Sequence, residues 1–545
     1  MLKLLKHYPK LTICLFVALM LLPNLETVQV SIMEARNFIT AREMLTNKHW
    51  LLTTMNGVAR YQKPPLPSWS SAFSGYIFGE KNVFAMRLPA VFMVMLIGSF
   101  MYNLSRIILK ENLHSIINAL VLVTSFYVIG ITFEAPSDIF THAFMLVAIT
   151  YLFKLLKMKT TSWKPTVIAG LFLGLSILSK GPIAMYVLLL PFIIAYGFTY
   201  KINFLKQKLP YLLGAIGLGL AIGGSWYLYV KLQDPTVLNT IINQETSTWK
   251  DYNVRPFYYY WSFFTQSGIW TIPAFISLLY PYLIQRVKYK KAYQFTFIWT
   301  IAAVILLSLI PMKKSRYLMP VLIPLAFNIG FYIEYLIREF KNLKDKREMF
   351  PVYFNFGLIG LVGVVVPIVM IVLFSAEFQN HRPRFYLASI VLFTIGLLIL
   401  LQLKAKRIKY VCLLTVIFMA SVFIFVLPLS EAFKNKNFKS LAALKEDNKL
   451  HNINLYSLNG TVPEAIWDYG ESIPEIKKEA NTFVFPNHKR FGILSKAMKP
   501  DQEAKLRGLY HIKKIGTYDL NYFGKASNQN NPRLKQEVYM LTKKD

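Results

Sequence analysis

The feature that most constrains this chain is a recurrence of apolar runs, each long enough to cross a bilayer, from near the N-terminus to about residue 430. A helix of about 20 apolar residues spans the hydrocarbon core. Placed by apolar length, about thirteen spans are expected. They fall at roughly 9–28, 84–106, 114–133, 136–156, 165–180, 182–200, 209–230, 352–376, 384–402 and 410–429, with three more ending before Arg286, at Pro311 and near Arg338. Composition agrees: 54% of residues are hydrophobic and 16% charged, against about 25% charged in soluble proteins. The expected fold class is therefore an all-α polytopic membrane bundle, residues 1–429.

The net charge of +33 does not point to nucleic acid. The Lys and Arg residues are dispersed in short clusters between apolar runs, and no basic face with base-stacking aromatics appears. Such clusters read as cytoplasmic loops facing anionic membrane lipids. They fall on one side after every second run. With the N-terminus inside, the C-terminus then lies outside. Cys14 and Cys412 both sit within apolar runs, so they make neither a disulfide framework nor a metal motif. Lys3, Lys6 and Lys10 precede the first run as in a signal peptide, but no small-residue cleavage site follows, and the run is read as an uncleaved helix.

Between the first two runs lies a polar stretch, residues 30–83, far longer than the usual connection. It contains Met33-Glu34-Ala35-Arg36, Ala41-Arg42-Glu43-Met44, Asn56-Gly57 and Arg60-Tyr61-Gln62-Lys63-Pro64-Pro65-Leu66. Long loops of mixed chemistry between scaffold elements often carry function. Glu34 is either a plain charge, in a membrane-edge ion pair or at a helix terminus, or a carboxylate that takes a proton from an attacking group, with Arg36 orienting it. Lys63 precedes two prolines that stiffen the backbone. A lysine so held at a membrane surface is a good phosphate ligand, though lipid headgroups alone would also explain it. Glu134 and Asp138 flank Pro136 between two runs and could make a polar notch. Carboxylates at membrane depth are functional hypotheses by default. Lys180-Gly181-Pro182 and Lys313-Lys314-Ser315-Arg316-Tyr317 add cations to Lys63 on the same outer face, which also carries a second polar loop from Lys231 to about Pro256. An anionic lipid headgroup handled there would account for this departure from the usual inward bias of basic residues.

No motif requires a cofactor. No ligand set demands a divalent metal, and none excludes one. A Gly-rich nucleotide loop after a strand, a His-Glu-x-x-His pair and a Ser-centred nucleophile are all absent. His142, inside the fourth run, is read as a packed or hydrogen-bonded helix residue. From about residue 430 the composition changes. Lys439–Lys449 is a short helical pattern, while Asn452–Leu458, Thr482–Phe485 and Val538–Thr542 are strand candidates. A soluble α/β domain over 430–545 is expected.

Taken as an ordered set, these motifs resemble the family of polyprenyl-phosphate-sugar glycosyltransferases, which includes bacterial aminoarabinose lipid A transferases and protein O-mannosyltransferases. The resemblance rests on Glu34-Ala35-Arg36, Ala41-Arg42-Glu43-Met44-Leu45, Asn56-Gly57, Tyr61-Gln62-Lys63-Pro64-Pro65-Leu66, Phe78-Gly79 and Arg87-Leu88-Pro89, followed by Asp138, Ser179-Lys180-Gly181-Pro182, Trp226-Tyr227 and Lys314-Ser315-Arg316-Tyr317-Leu318-Met319-Pro320. It covers roughly residues 10–330. It departs from the family pattern twice: Met33 stands where an acid usually precedes Glu34, and Gln62 where an acid often precedes the loop lysine. The resemblance implies a GT-C fold and an inverting transfer of a sugar from a polyprenyl-phosphate donor to a lipid, glycan or protein acceptor. It also implies a place in the bacterial inner membrane with the C-terminal domain periplasmic. Carried over residue by residue, Lys63 would bind the lipid phosphate, Asp138 would sit in the polar site, and Arg36, Lys180 and Arg316 would help hold anionic lipid. For such a transfer Glu34 or Asp138 is the expected catalytic base, Arg60 a further expected phosphate ligand, and Tyr61, Glu134 and Tyr317 the expected lining of the pocket. The competing reading is a transporter or flippase of lipid-linked sugars. Transporters commonly show repeated halves and polar groups at mid-depth. This chain shows no repeated half, and its polar groups cluster at one face.

Overall fold

The structure is a computed structural model that describes residues 7–134, 136–158, 162–200, 205–375, 377–446, 453–476, 478–479, 482–496, 498, 500–524, 527 and 530–544. The chain forms two compact units. The first comprises Met1–Leu25, Tyr61–Ser70 and Arg87–Leu429; the second comprises Glu26–Arg60, Ser71–Met86 and Ser430–Asp545.

The first unit is a bundle of apolar helices, as the recurrent runs require. Among the described residues, eight helices are long and apolar enough to cross a membrane, or nine if one bent pair counts as a span. This is fewer than the expected thirteen or so, because several runs fold as shorter or broken pieces. Pro9–Asn24 and Met185–Thr199 are short apolar helices. Asn112–Val123 and Phe126–Glu134 are bent by 45° at the break between them. The run before Arg286 is no single helix: Phe257–Tyr260, Phe263–Trp270, Thr271–Ser277 and Tyr280–Leu283 follow one another. Gly268 there has φ 65°, and a Cβ at that position would come within 2.7 Å of Phe126 Cβ. The close approach therefore needs glycine.

Burial ranks the spans. In the 18-residue apolar stretch of each, Ser315–Glu339 is 89% buried and Ser137–Lys157 78%, so these helices form the centre; that of Lys346–Phe374, at 22%, lies at the periphery. Polar groups inside the bundle are paired between helices. Asn328 accepts from Thr296 at 2.6 Å and donates to Thr300 at 2.9 Å. Bonds of this kind fix helix register where lipid offers no alternative partner. The Trp163–Lys180 and Leu205–Gln233 helices meet at small residues: a Cβ on Gly174 would lie 2.6 Å from Ile222 Cβ, and one on Gly223 2.5 Å from Ile177 Cβ.

The second unit contains most of the polar stretch 30–83, which is not an irregular loop. Ile32–Thr46 is a helix, and β1 (Thr54–Met55) and β2 (Val58–Ala59) form a hairpin. The hairpin turns at Asn56-Gly57 with φ 58° and 75°, the pair of left-handed conformations that a two-residue type I′ turn demands. The second polar loop is likewise mostly helical, Pro235–Asp251, although that segment belongs to the first unit. In the C-terminal part, β3 (Leu455–Ser457), β4 (Lys478–Glu479), β5 (Thr482–Phe483), β6 (Arg490–Ser495), β7 (Tyr510–Asp519) and β8 (Lys535–Lys543) follow in order. β3, β6, β8 and β7 make one sheet in that spatial order, with β3–β6 parallel and the other pairs antiparallel. The strands expected near 455, 482 and 538 are present, and β4, β6 and β7 lie outside the expected strands. The helical pattern at Lys439–Lys449 is realised as Ala443–Glu446, and 447–449 and Asn452 lie outside the described residues.

The N-terminal segments of this unit share its core. Ile39 packs with Leu441, Ile466, Leu494, Tyr518 and Val538. The Phe38 and Trp467 rings are 5.2 Å apart. Asn56 donates to Ile473 O and accepts from Ile473 N, both at 2.7 Å. Glu43 accepts from Thr54 Oγ1 at 2.5 Å and from Ser472 Oγ at 3.3 Å. The Asn56-Gly57 turn thus both shapes the hairpin and bonds it to a distant strand connection. Replacing Asn56 by Ala removes two backbone bonds and leaves the Ile473 groups without them, at an expected cost of about 1–3 kcal/mol. Faster limited proteolysis within residues 453–544, with the helical signal of the bundle retained, is the expected readout.

Candidate functional site

The sequence-derived candidates divide between the units. Tyr61, Lys63, Glu134, Asp138, Lys180, Arg316 and Tyr317 belong to the first; Glu34, Arg36 and Arg60 belong to the second.

In the first unit, Lys63 stands just ahead of Pro64-Pro65 and the Leu66–Phe78 helix. The prolines have no amide proton to donate. The lysine is half-buried, and its Nζ donates to Ser137 Oγ at 3.4 Å. Ser137 adjoins Asp138, which is 2% exposed. Asp138 lies in the first turn of the Pro136–Lys157 helix and Lys180 in the last turn of Trp163–Lys180. Each charge therefore complements its own helix macrodipole, and the two side chains close a salt bridge through Asp138 Oδ1. One turn deeper, Thr141 Oγ1 donates to Ser176 O and Ser176 Oγ donates to Thr141 O, both at 2.8 Å. This reciprocal pair holds the two helices in register beneath the salt bridge. Gly181, at φ 77°, ends the second helix directly after Lys180. Asp138 Oδ2 and His142 Nδ1 are buried without hydrogen bonds among the described residues.

The neighbouring corner supplies more groups. Lys180 Nζ lies over the Tyr317 ring at 5.0 Å. Arg316 Nη1 is 3.8 Å from Glu134 Oε1, and Tyr127 donates to Glu134 Oε2 at 3.2 Å. Glu134 and Asp138 therefore turn to different cations, Arg316 and Lys180. Tyr260 pins this corner by accepting from Lys314 N at 2.9 Å and donating to Lys314 O at 3.1 Å. Lys313 is not a lipid-facing cation as the sequence suggested. It is 2% exposed, and its ammonium donates to the carbonyls of Ile310 at 2.6 Å and Arg255 at 3.0 Å. Tyr61 donates to Asp234 Oδ2 at 3.0 Å and meets Trp226 edge-on at 6.3 Å. Burial, reinforced by the bond to Asp234, pushes the Tyr61 phenol up to about 12, so it is a donor at any working pH.

The second unit holds its candidates differently. Ser31 Oγ accepts from Glu34 N at 3.3 Å while Ser31 N donates to Glu34 Oε2 at 2.9 Å. This is a capping box at the start of Ile32–Thr46, the helix-terminus alternative foreseen for Glu34. Arg60 Nη1 donates to Arg36 O at 2.9 Å and Thr40 Oγ1 at 2.8 Å, so it braces that helix. Burial first, and the charge of Arg36 second, lower its guanidinium to about 10. Arg36 Nη1 lies 4.0 Å from Met33 Sδ, and its Nε is buried without a hydrogen bond. No group of three or more His, Cys, Asp or Glu suited to a metal ion occurs among the described residues.

Sequence reasoning missed Ser137, Tyr127 and Asp234. Tyr127 was findable, because it lies seven residues before Glu134 on a helical run, two turns along the same face. Asp234 stands directly before Pro235, a common helix-start pattern. Ser137 carried no signal, since its role depends on where Lys63 folds back. In the first unit the arrangement can bind an anion through Lys63, Lys180 and Arg316, and it places a buried carboxylate among them.

Residues 62–226 match the family described as dolichyl-phosphate-mannose-protein mannosyltransferase. A curated relative, the undecaprenyl phosphate-alpha-4-amino-4-deoxy-L-arabinose arabinosyl transferase 1 of Proteus mirabilis, is 26% identical over 63% of this chain and 62% of its own length. The corresponding transferase of Wigglesworthia glossinidia brevipalpis is 24% identical over 58% of this chain and 56% of its own. The matched segment thus spans less than two thirds of either relative. The crystal structure of ArnT from Cupriavidus metallidurans bound to undecaprenyl phosphate superposes with TM-score 0.68 at 15% identity, covering 98% of this chain and 97% of that one. Its apo structure gives 0.66. The fold is therefore GT-C: a polytopic helical membrane bundle with a C-terminal domain containing a small sheet.

Asp138→Ala would leave Lys180 largely buried without its carboxylate, at an expected cost of about 3–5 kcal/mol. The double variant Asp138→Ala, Lys180→Met should recover part of that loss. Thermal unfolding of the detergent-solubilised chain measures both.

Proposed function

We propose that this chain, a member of the family of GT-C polyprenyl-phosphate-sugar glycosyltransferases, is an inverting glycosyltransferase that moves a sugar from a polyprenyl-phosphate donor to a lipid, glycan or protein acceptor. Its place is the outer face of a bacterial inner membrane, with the C-terminal domain periplasmic. Undecaprenyl phosphate is the favoured carrier, because the arabinosyl transferase relatives are named for it and ArnT binds it. The acceptor hydroxyl or amine attacks the anomeric carbon. The carbon–oxygen bond to phosphate breaks, its electron pair goes to the phosphate oxygen, and the acceptor's proton goes to a carboxylate and then to water.

The observation that carries the reading is the gathering of Lys63, Ser137, Asp138, Lys180, Tyr317 and Arg316 at the helix ends of one compact unit. In this reading Lys63 and Arg316 hold the lipid phosphate and stabilise the charge that develops on it as the bond breaks. Lys180 completes the cationic set, and Asp138 fixes its ammonium. Asp138 Oδ2 is the carboxylate oxygen within this unit that takes the acceptor proton. Arg60, which donates to Arg36 O and Thr40 Oγ1, braces the Ile32–Thr46 helix in this reading rather than holding phosphate directly.

Lys63→Ala should lower transfer from an undecaprenyl-phosphate sugar roughly 10²–10³-fold, with folded protein retained. Full activity in that variant would refute the phosphate role. Two isosteric changes separate the carboxylates. Glu34→Gln keeps the capping box, because glutamine serves at that position, so activity should be kept if Glu34 is only a cap. Asp138→Asn should lose about 10²–10⁴ in rate if it is the base. The reverse pattern would transfer the base role to Glu34. Mass spectrometry of new glycosidic products reads all three variants.

A further inference from the structure

Two ion pairs border the phosphate site, and they differ in kind. Asp138 and Lys180 are in direct contact. Arg316 and Glu134 are 3.8 Å apart, beyond hydrogen-bonding distance. The Arg316 side chain is 14% exposed and its Nε is buried without a hydrogen bond, whereas the Glu134 side chain is 45% exposed. Tyr127 holds the other Glu134 oxygen at 3.2 Å. A largely enclosed guanidinium therefore faces an acid that reaches solvent, is anchored elsewhere and has not closed upon it.

We propose that Glu134 is a displaceable counter-ion of Arg316 that weakens the grip on the leaving lipid phosphate and so drives its release. This rests on the reading that Lys63 and Arg316 bind the lipid phosphate. The donor is a phosphate diester with one negative charge. The product is a monoester whose second ionisation lies near pH 6, so at pH 8 it carries close to two. A carboxylate beside Arg316 repels the doubly charged product about twice as strongly as the donor. Glu134 thereby separates product from substrate by charge alone, and its Coulomb share of Arg316 is restored as the product leaves. The direct Asp138–Lys180 pair offers no such exchange, because both partners are largely enclosed and already in contact.

The test is equilibrium binding of undecaprenyl phosphate to the full chain in lipid nanodiscs, at pH 8 and pH 5, with product inhibition of transfer measured alongside. Glu134→Gln keeps an acceptor for Tyr127 and removes the charge. It should bind undecaprenyl phosphate roughly threefold to fivefold more tightly at pH 8, the upper range for one partly exposed charge pair. The gain should be smaller at pH 5, and the donor KM should change less than the product inhibition constant. Glu134→Ala, a second uncharged variant, should behave likewise, while Glu134→Asp should stay near the unaltered protein. Unchanged or weaker binding in the uncharged variants, an equal gain at both pH values, or an aspartate variant that behaves like the glutamine one would overturn the proposal. Lys63→Ala, measured in parallel, tests the underlying reading. If it binds undecaprenyl phosphate at full strength, the phosphate site itself is misassigned, whatever Glu134 does.

Discussion

The buried salt bridge between Asp138 and Lys180 organises the membrane unit's polar end. It joins the start of one central helix to the end of its neighbour, so each charge is favoured twice, by its partner and by its own helix dipole. An ion pair at this depth adds little net stability against an apolar alternative. Its value is positional. The Thr141–Ser176 exchange one turn below fixes the register of the two helices, and the salt bridge ties their ends together. Ser137 is thereby presented to Lys63, and Lys180 to the Tyr317 ring.

A charged cluster at the end of a helical bundle needs walls that do not yield. The central Ser315–Glu339 helix provides one, and the corner before it is held by backbone carbonyls that take up the Lys313 ammonium and by the Tyr260 hydroxyl. A lysine consumed in this way contributes rigidity instead of binding. At the same corner, Arg316 faces Glu134 across a gap of 3.8 Å. Its looser pairing contrasts with the closed pair at Asp138.

The polar stretch after the first span is built by different physics. Glu34 closes a capping box, Arg60 braces the same helix, and Asn56-Gly57 combines an allowed left-handed turn with two bonds to Ile473. These motifs stood out in the sequence as candidates for chemistry. In the structure Glu34 and Arg60 hold the Ile32–Thr46 helix, Asn56 bonds the hairpin to Ile473, and Ile39 of the helix joins a core shared with the C-terminal sheet.

What the sequence determined by itself was the class of fold and the order of its landmarks. Apolar length and basic flanks forecast a polytopic helical bundle, because lipid leaves the backbone no other way to satisfy its polar groups. The change of composition near residue 430 likewise announced a domain of another kind. The motif order from Glu34 to Pro320 pointed to the GT-C relationship. What only the tertiary structure decided was which polar residues meet. Periodicity says which face a residue occupies but not what lies opposite, so Lys63 with Ser137, Arg316 with Glu134 and Lys313 with its carbonyls could not be read from spacing. The same reason explains the broken run before Arg286 and the unforeseen β6 and β7. Their outcome depended on close approach, as at Gly268 against Phe126, and on pairing with distant strands, and both are properties of the folded neighbour rather than of the local chain.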